Sequence, residues 1–159
     1  MKPTYTTVGV VGAGAMGRGI AQIAAQAGST VKLFDTQAAA VTQALQAVGT
    51  QWDKLAEKNR ITPEQVAQYK AHLQGASSLQ ELADCDLVVE AIVERLDIKK
   101  SLFAELEGLV KPQAVLVTNT SSLSVTAIAA ALKRPEQFAG YHFFNPVPLM
   151  KVVEVIAGL

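Results

Sequence analysis

Apolar positions along the chain follow two alternating rhythms. Short runs at Val8–Val11, Val31–Phe34, Leu87–Ile92, Val115–Val117, Phe138–Phe143 and Lys151–Ile156 have the length and β-branched content of strands. Between them, apolar residues recur every three or four positions. Ile20, Ile23, Ala24 and Ala27 follow the first run, and Gly28 is placed to stop that helix. Gln37 to about His72 is Ala- and Gln-rich and reads as helix with a break at Asn59–Pro63. Thr62-Pro63-Glu64 restarts it with proline at the first position. Lys99–Leu109 carries Leu102, Phe103, Leu106 and Leu109 on one face, and Val125–Leu132 is a further helix. This alternation predicts an α/β fold: an open, mostly parallel sheet with helices on both faces.

Composition narrows the picture. The 159 residues suit about one domain, and 50% apolar against 18% charged residues supports a buried core rather than a disordered chain. Fourteen basic residues balance fourteen acidic ones, which argues against a nucleic-acid or other polyanion binder. One cysteine, Cys85, rules out an internal disulfide and a cysteine-based zinc site; it is expected half-buried and inert. No metal site is expected. Lys2 and Pro3 do not open a signal-peptide core, and no apolar run reaches the roughly 20 residues of a spanning helix. The expectation is a soluble chain in a reducing compartment, the cytoplasm before an organelle matrix, with no membrane partner.

The first strand runs into Gly12-Ala13-Gly14-Ala15-Met16-Gly17, a G-x-G-x-x-G loop opening a helix. Gly12 is expected to permit the tight turn, Gly14 to let the backbone approach a pyrophosphate, and Gly17 to let the helix pack on the sheet. Free N–H groups and the positive end of the helix dipole then face the phosphates. Asp35 ends the second strand, 18 residues past Gly17, where an acid accepts hydrogen bonds from the adenosine ribose. A carboxylate there repels a 2′-phosphate, so NAD is expected over NADP. The sheet is therefore expected to be of the doubly wound Rossmann type.

Hydride transfer from an alcohol needs a base for the hydroxyl proton. There are two histidines. His72 sits in a helical Gln/Ala context that suits packing. His142 ends an apolar strand, where ligands bind in open sheets; taken alone, it reads equally as packed or catalytic. Glu154, within Val152–Ile156, reads either as an exposed edge charge or as a carboxylate orienting His142 and raising its basicity. Asn119-Thr120-Ser121-Ser122 ends the Val115–Val117 strand at the same rim. Its polar groups suit a substrate oxygen or a nicotinamide amide, and equally a helix cap, for which Ser124 is a further candidate.

Gly12–Gly19, Leu87–Leu96, Asn119–Leu123 and, most specifically, Gly140–Ile156 with His142-Phe143-Phe144-Asn145-Pro146-Val147-Pro148 resemble the NAD-binding domain of L-3-hydroxyacyl-CoA dehydrogenases. The resemblance spans essentially residues 1–159. It implies a His–Glu pair, His142 and Glu154, that activates a 3-hydroxyl, and a serine, Ser121, that bonds the substrate oxygen. It also implies nicotinamide-side contacts at Glu94, Lys99, Asn119 and Asn145, and a ribose acid at Asp35. An acyl-CoA is the implied substrate, with Lys54 and Lys58 as candidates for its phosphates. Relatives of this kind continue into a helical C-terminal dimerisation domain, which is expected to be absent from these 159 residues. An exposed apolar patch is therefore expected at Pro146–Met150 and Ile156–Leu159, open to a second copy or a separate helical domain. Two other readings stand beside the dehydrogenase: an NAD-binding module with little turnover of its own, and a reductase of the hydroxyisobutyrate or 6-phosphogluconate type. The His142/Glu154 pair and the surroundings of Asn145 argue against the last.

Overall fold

Val8 and Val10 of β1 (Thr7–Val11) and Val31 and Leu33 of β2 (Thr30–Phe34) turn one set of side chains to the same face of a parallel pair. Alternation along a strand sends Val11 to the opposite core. The computed structural model describes residues 3–119, 125–143, 147–149 and 153–157, with 142, 143, 149 and 153–157 described by backbone alone.

The remaining strands are β3 (Leu73–Gly75), β4 (Leu87–Glu90), β5 (Val115–Thr118), β6 (Phe138–Phe143) and β7 (Val153–Ala157). They form one seven-stranded sheet in the order β3-β2-β1-β4-β5-β6-β7. Among the described residues every pairing is parallel except β6 with β7, which is antiparallel. Strand order reverses between β1 and β4, and a crevice opens at such a switch point. Helices α1 (Ala15–Gln26), α2 (Ala38–Glu57) and α3 (Pro63–His72) supply one core, through Ile20, Ala25, Val41, Val48, Trp52 and Val66. Helices α4 (Leu96–Leu109) and α5 (Val125–Ala129) cover the other face with Phe103, Leu106 and Ile128. This is the doubly wound Rossmann-type sheet expected from the alternation.

Local chemistry sets the boundaries. Gly28 takes a φ of +100° just past α1, a conformation that disfavours side chains bearing a Cβ. Thr62 caps α3: its side chain accepts from the Gln65 N–H, and Gln65 reaches back to the Thr62 N–H. Trp52 is fully buried, donates to Gln26 Oε1 at 3.0 Å and so ties α2 to α1.

Several expectations are corrected. β4 ends at Glu90 rather than Ile92, because the Glu90 carboxylate takes the Ile92 N–H at 2.7 Å and turns the chain out of the ladder. α4 begins at Leu96, three residues before Lys99. α5 ends at Ala129 rather than Leu132; Ala131 and Leu132 close tighter turns onto Ile128 and Ala129. Glu107 then takes the N–H groups of Lys133 and Arg134. β7 is described over Val153–Ala157, one residue past the expected Ile156, with Lys151 and Val152 outside the described residues, and the edge strand β3 has no counterpart in the apolar pattern. Cys85 is fully rather than half buried. Val147 is not part of an exposed patch. It is 3% exposed and sits against α1, where a Cβ on Gly19 would lie 2.8 Å from its own Cβ.

Candidate functional site

The glycine loop leads from the end of β1 into α1, beside the switch point. Gly12 has a φ of +110°, and a Cβ there would lie 2.5 Å from the Ala91 carbonyl oxygen. A Cβ on Gly17 would lie 1.7 Å from the Gly12 carbonyl oxygen, so the helix rests on the turn itself. Gly14 differs: a Cβ there would meet no protein atom within 4 Å. Its missing side chain leaves open space over the start of α1, where α1's unpaired amides and positive dipole end lie.

That space belongs to a cavity of about 820 Å³ lined by Gly12, Ala13, Gly14, Ala15, Arg18 and Asp35, with Gln37, Ile92, Val93 and Ile98 on its other walls. Asp35 ties two of these walls. Its Oδ2 accepts from the Ala13 N–H at 2.9 Å and its Oδ1 from the Gln37 N–H at 2.9 Å. Val93 is 61% exposed and Ile98 37%, large apolar side chains facing the cleft. An elongated group with a central anion, a diol and an aromatic base matches these walls. The fit to a dinucleotide rests on the open Gly14 cradle and the placed Asp35 carboxylate.

The other expected residues fall in different places. Met16 is half-buried and packs on the core behind the loop. Glu94, with its side chain 44% exposed, follows β4. Lys99 is wholly buried: its ammonium sits 2.8 Å from Glu90 Oε2 and 3.2 Å from Glu94 Oε1. Asn119 directly follows β5, its N–H held by the Glu90 carbonyl at 2.8 Å. Lys54 and Lys58 lie apart, on a separate groove of α2 with Thr50 and Gln51. Lys54 is about 15 Å along the helix from the last cleft-lining residue of α2, Ala44. Ser121, Ser124 and Asn145 lie outside the described residues. His72, at the end of α3, is half-buried.

β6 and β7 carry the remaining pair. Their antiparallel register sets His142 opposite Glu154. Gly140 is level with Thr118 of β5, so His142 stands two residues further toward the rim at which the glycine loop opens.

Sequence reasoning missed Glu90, Thr118 and Arg18. A carboxylate closing the apolar run Leu87-Val88-Val89-Glu90 was the available signal for the first. Among the described residues, no cluster of three or more His, Cys, Asp or Glu is placed to hold a metal ion, and no helix is long and apolar enough to cross a membrane.

The family described as "3-hydroxyacyl-CoA dehydrogenase, NAD binding domain" matches residues 7–159. The chain belongs to this family. It is 46% identical over 153 residues to the 3-hydroxyadipyl-CoA dehydrogenase of Escherichia coli K12, covering 96% of this chain and 32% of that protein. It is 43% identical over 159 residues to the 3-hydroxybutyryl-CoA dehydrogenase of Bradyrhizobium diazoefficiens, covering 100% of this chain and 54% of the relative. The crystal structure of (S)-3-hydroxybutyryl-CoA dehydrogenase from Ralstonia eutropha superposes with a TM-score of 0.94 at 40% identity, covering 98% of this chain and 55% of that one. The chain thus spans about a third to about half the length of these relatives. Membership makes it an NAD-binding domain, in keeping with the open cradle at Gly14 and the acid at the end of β2.

Proposed function

We propose that this chain provides the cofactor-binding and proton-transfer part of an NAD-dependent dehydrogenase that interconverts (S)-3-hydroxyacyl-CoA and 3-ketoacyl-CoA. The observation that carries the reading is the register of His142 opposite Glu154, with His142 near the carboxyl end of β6, the end of the parallel sheet at which the glycine loop leaves β1.

NAD, when bound, supplies the hydride acceptor. The chain's own residues do the rest. The Gly12–Gly17 loop and the start of α1 hold the pyrophosphate, with Gly14 leaving room for it. Asp35 accepts from the adenosine ribose and disfavours a 2′-phosphate. Glu94, Asn119 and Asn145 face the nicotinamide side. His142 takes the proton of the 3-hydroxyl as hydride leaves the same carbon, and Glu154 stabilises the resulting imidazolium. Ser121 holds the substrate oxygen. In the reverse direction His142 returns the proton. Lys54 and Lys58 take the CoA phosphates on the groove of α2. The chain acts in the cytoplasm, paired with a second copy or a helical domain that closes the acyl side of the cleft.

The test is reduction of acetoacetyl-CoA by NADH, followed by loss of NADH absorbance, for wild type and His142→Ala. Turnover by wild type that His142→Ala abolishes supports the assignment. Equal rates in both reject His142 as the base. NADH binding without turnover by wild type assigns this chain the cofactor-binding share alone, and turnover restored by a relative's helical domain added in trans supports a split of the two roles.

A further inference from the structure

Beneath the cleft a carboxylate and an ammonium are buried together. Glu90, the last residue of β4, and Lys99, in the first turn of α4, both have wholly buried side chains. Taking two charges out of water is unfavourable, and a well-packed apolar pair of similar volume often holds a fold as well or better. Stability alone is a weak reason for such a pair.

The acceptor directions of Glu90 are filled. Oε2 accepts from Lys99 Nζ at 2.8 Å and from the Ile92 N–H at 2.7 Å. Oε1 accepts from Lys99 Nζ at 3.1 Å and from Thr118 Oγ1 at 2.5 Å. Lys99 then donates onward to Glu94 Oε1 at 3.2 Å, on a side chain that reaches solvent. One buried carboxylate therefore ties three segments: the turn after β4 that lines the cleft, the first turn of α4, and the end of β5.

We propose that Glu90 is a positioning residue for the cofactor, fixing the Lys99 ammonium so that it holds Glu94 at the nicotinamide end of the cleft. The inference rests on the cofactor reading given above. A rim carboxylate already held by a fixed cation needs no ordering when the dinucleotide arrives. Without the Glu90 charge, the buried ammonium must be neutralised by Glu94. That draws the rim carboxylate inward and away from the ligand, while the glycine loop and Asp35 stay in place.

The experiment is a calorimetric titration of the whole chain with NADH and with ADP, which lacks the nicotinamide ribose and ring. In Glu90→Gln, NADH affinity falls about tenfold or more while ADP affinity stays within about twofold. Parallel losses for both ligands mean a merely structural role and overturn the proposal, as does unchanged NADH affinity. A second variant, Glu90→Gln with Lys99→Met, removes both charges together and leaves no unpaired ion to unfold the chain. It is expected to show the same NADH-selective loss, and wild-type NADH affinity in it overturns the proposal. A wild-type chain that binds neither ligand fails at an earlier point, since it removes the cofactor reading itself.

Discussion

His142 and Glu154 stand directly opposite one another in the antiparallel ladder of β6 and β7. Residues so opposed share a face of the sheet and are nearest cross-strand neighbours. Glu154 follows His142 by twelve positions, and the antiparallel pairing of β6 with β7 brings them level. Glu154→Gln keeps size and hydrogen bonding but removes the charge that stabilises an imidazolium. We expect kcat for acetoacetyl-CoA reduction to fall by about 100-fold or more, with NADH affinity unchanged by titration. A variant that loses NADH affinity and keeps kcat would place Glu154 in cofactor binding instead.

Asp35 acts through both carboxylate oxygens, which already hold the Ala13 and Gln37 amides. Asp35→Ser frees two N–H donors in a cavity that Arg18 also lines. An anion then finds donors where a carboxylate stood. NADPH affinity is expected to rise relative to NADH by about tenfold or more, and the gain to vanish in Asp35→Ser with Arg18→Ala. An unchanged NADPH-to-NADH ratio would mean that the carboxylate does not set the preference.

Gly14 and Gly17 are expected to respond differently to the same methyl group. Gly14→Ala meets no protein atom, so thermal stability stays close to wild type while NADH binding weakens. Gly17→Ala drives a Cβ to 1.7 Å from the Gly12 carbonyl oxygen, so stability falls by at least about 2 kcal/mol along with binding. Thermal melts paired with NADH titrations separate the two. Full NADH affinity in Gly14→Ala would move the pyrophosphate away from this loop.

Asp86 binds the Lys111 ammonium and accepts the Thr7 N–H at 3.0 Å. Lys111 first, and then that N–H, hold its carboxyl below the usual carboxylate range, against an opposing contribution from burial. A lowered folded pKa means that the unfolded chain takes up the proton first. The stabilisation is therefore full above the unfolded value of about 4 and is lost as pH falls toward the folded one. Asp86→Asn is expected to cost about 1 kcal/mol at neutral pH, with the gap to wild type closing in urea melts run below about pH 4. A gap that stays constant with pH would assign the loss to packing.

Cys85 is wholly buried, and burial pushes its thiol up to about 12. A neutral, enclosed thiol is a poor nucleophile. Iodoacetamide should leave the folded chain unmodified and label it stoichiometrically in denaturant. Rapid labelling of the native chain would show that the segment around Cys85 opens.

Much of the fold was legible because two periods alternate cleanly. A buried parallel strand reads as an unbroken apolar run, and an amphipathic helix does not. Gly12, Gly17 and Asp35 were legible too, since tight turns and diol recognition restrict the residue types. The ends of elements were not. β4 stops at Glu90 because a side chain captures the next amide, and α5 tightens toward a carboxylate that α4 supplies; both depend on contacts between distant segments. The short edge strand β3 has one half-buried and two exposed residues, too little pattern to read. The burial of Lys99 was not legible for the same reason: it depends on the carboxylate of Glu90, nine residues earlier, which holds its ammonium inside.

The most direct measurement is a crystal structure of this chain soaked with NADH and acetoacetyl-CoA. If the chain works as proposed, density shows the pyrophosphate over Gly14, the ribose diol on Asp35, and the His142 imidazole, backed by Glu154, within hydrogen-bonding distance of the 3-keto oxygen. A dinucleotide seated elsewhere, or an imidazole turned away from that oxygen, contradicts it.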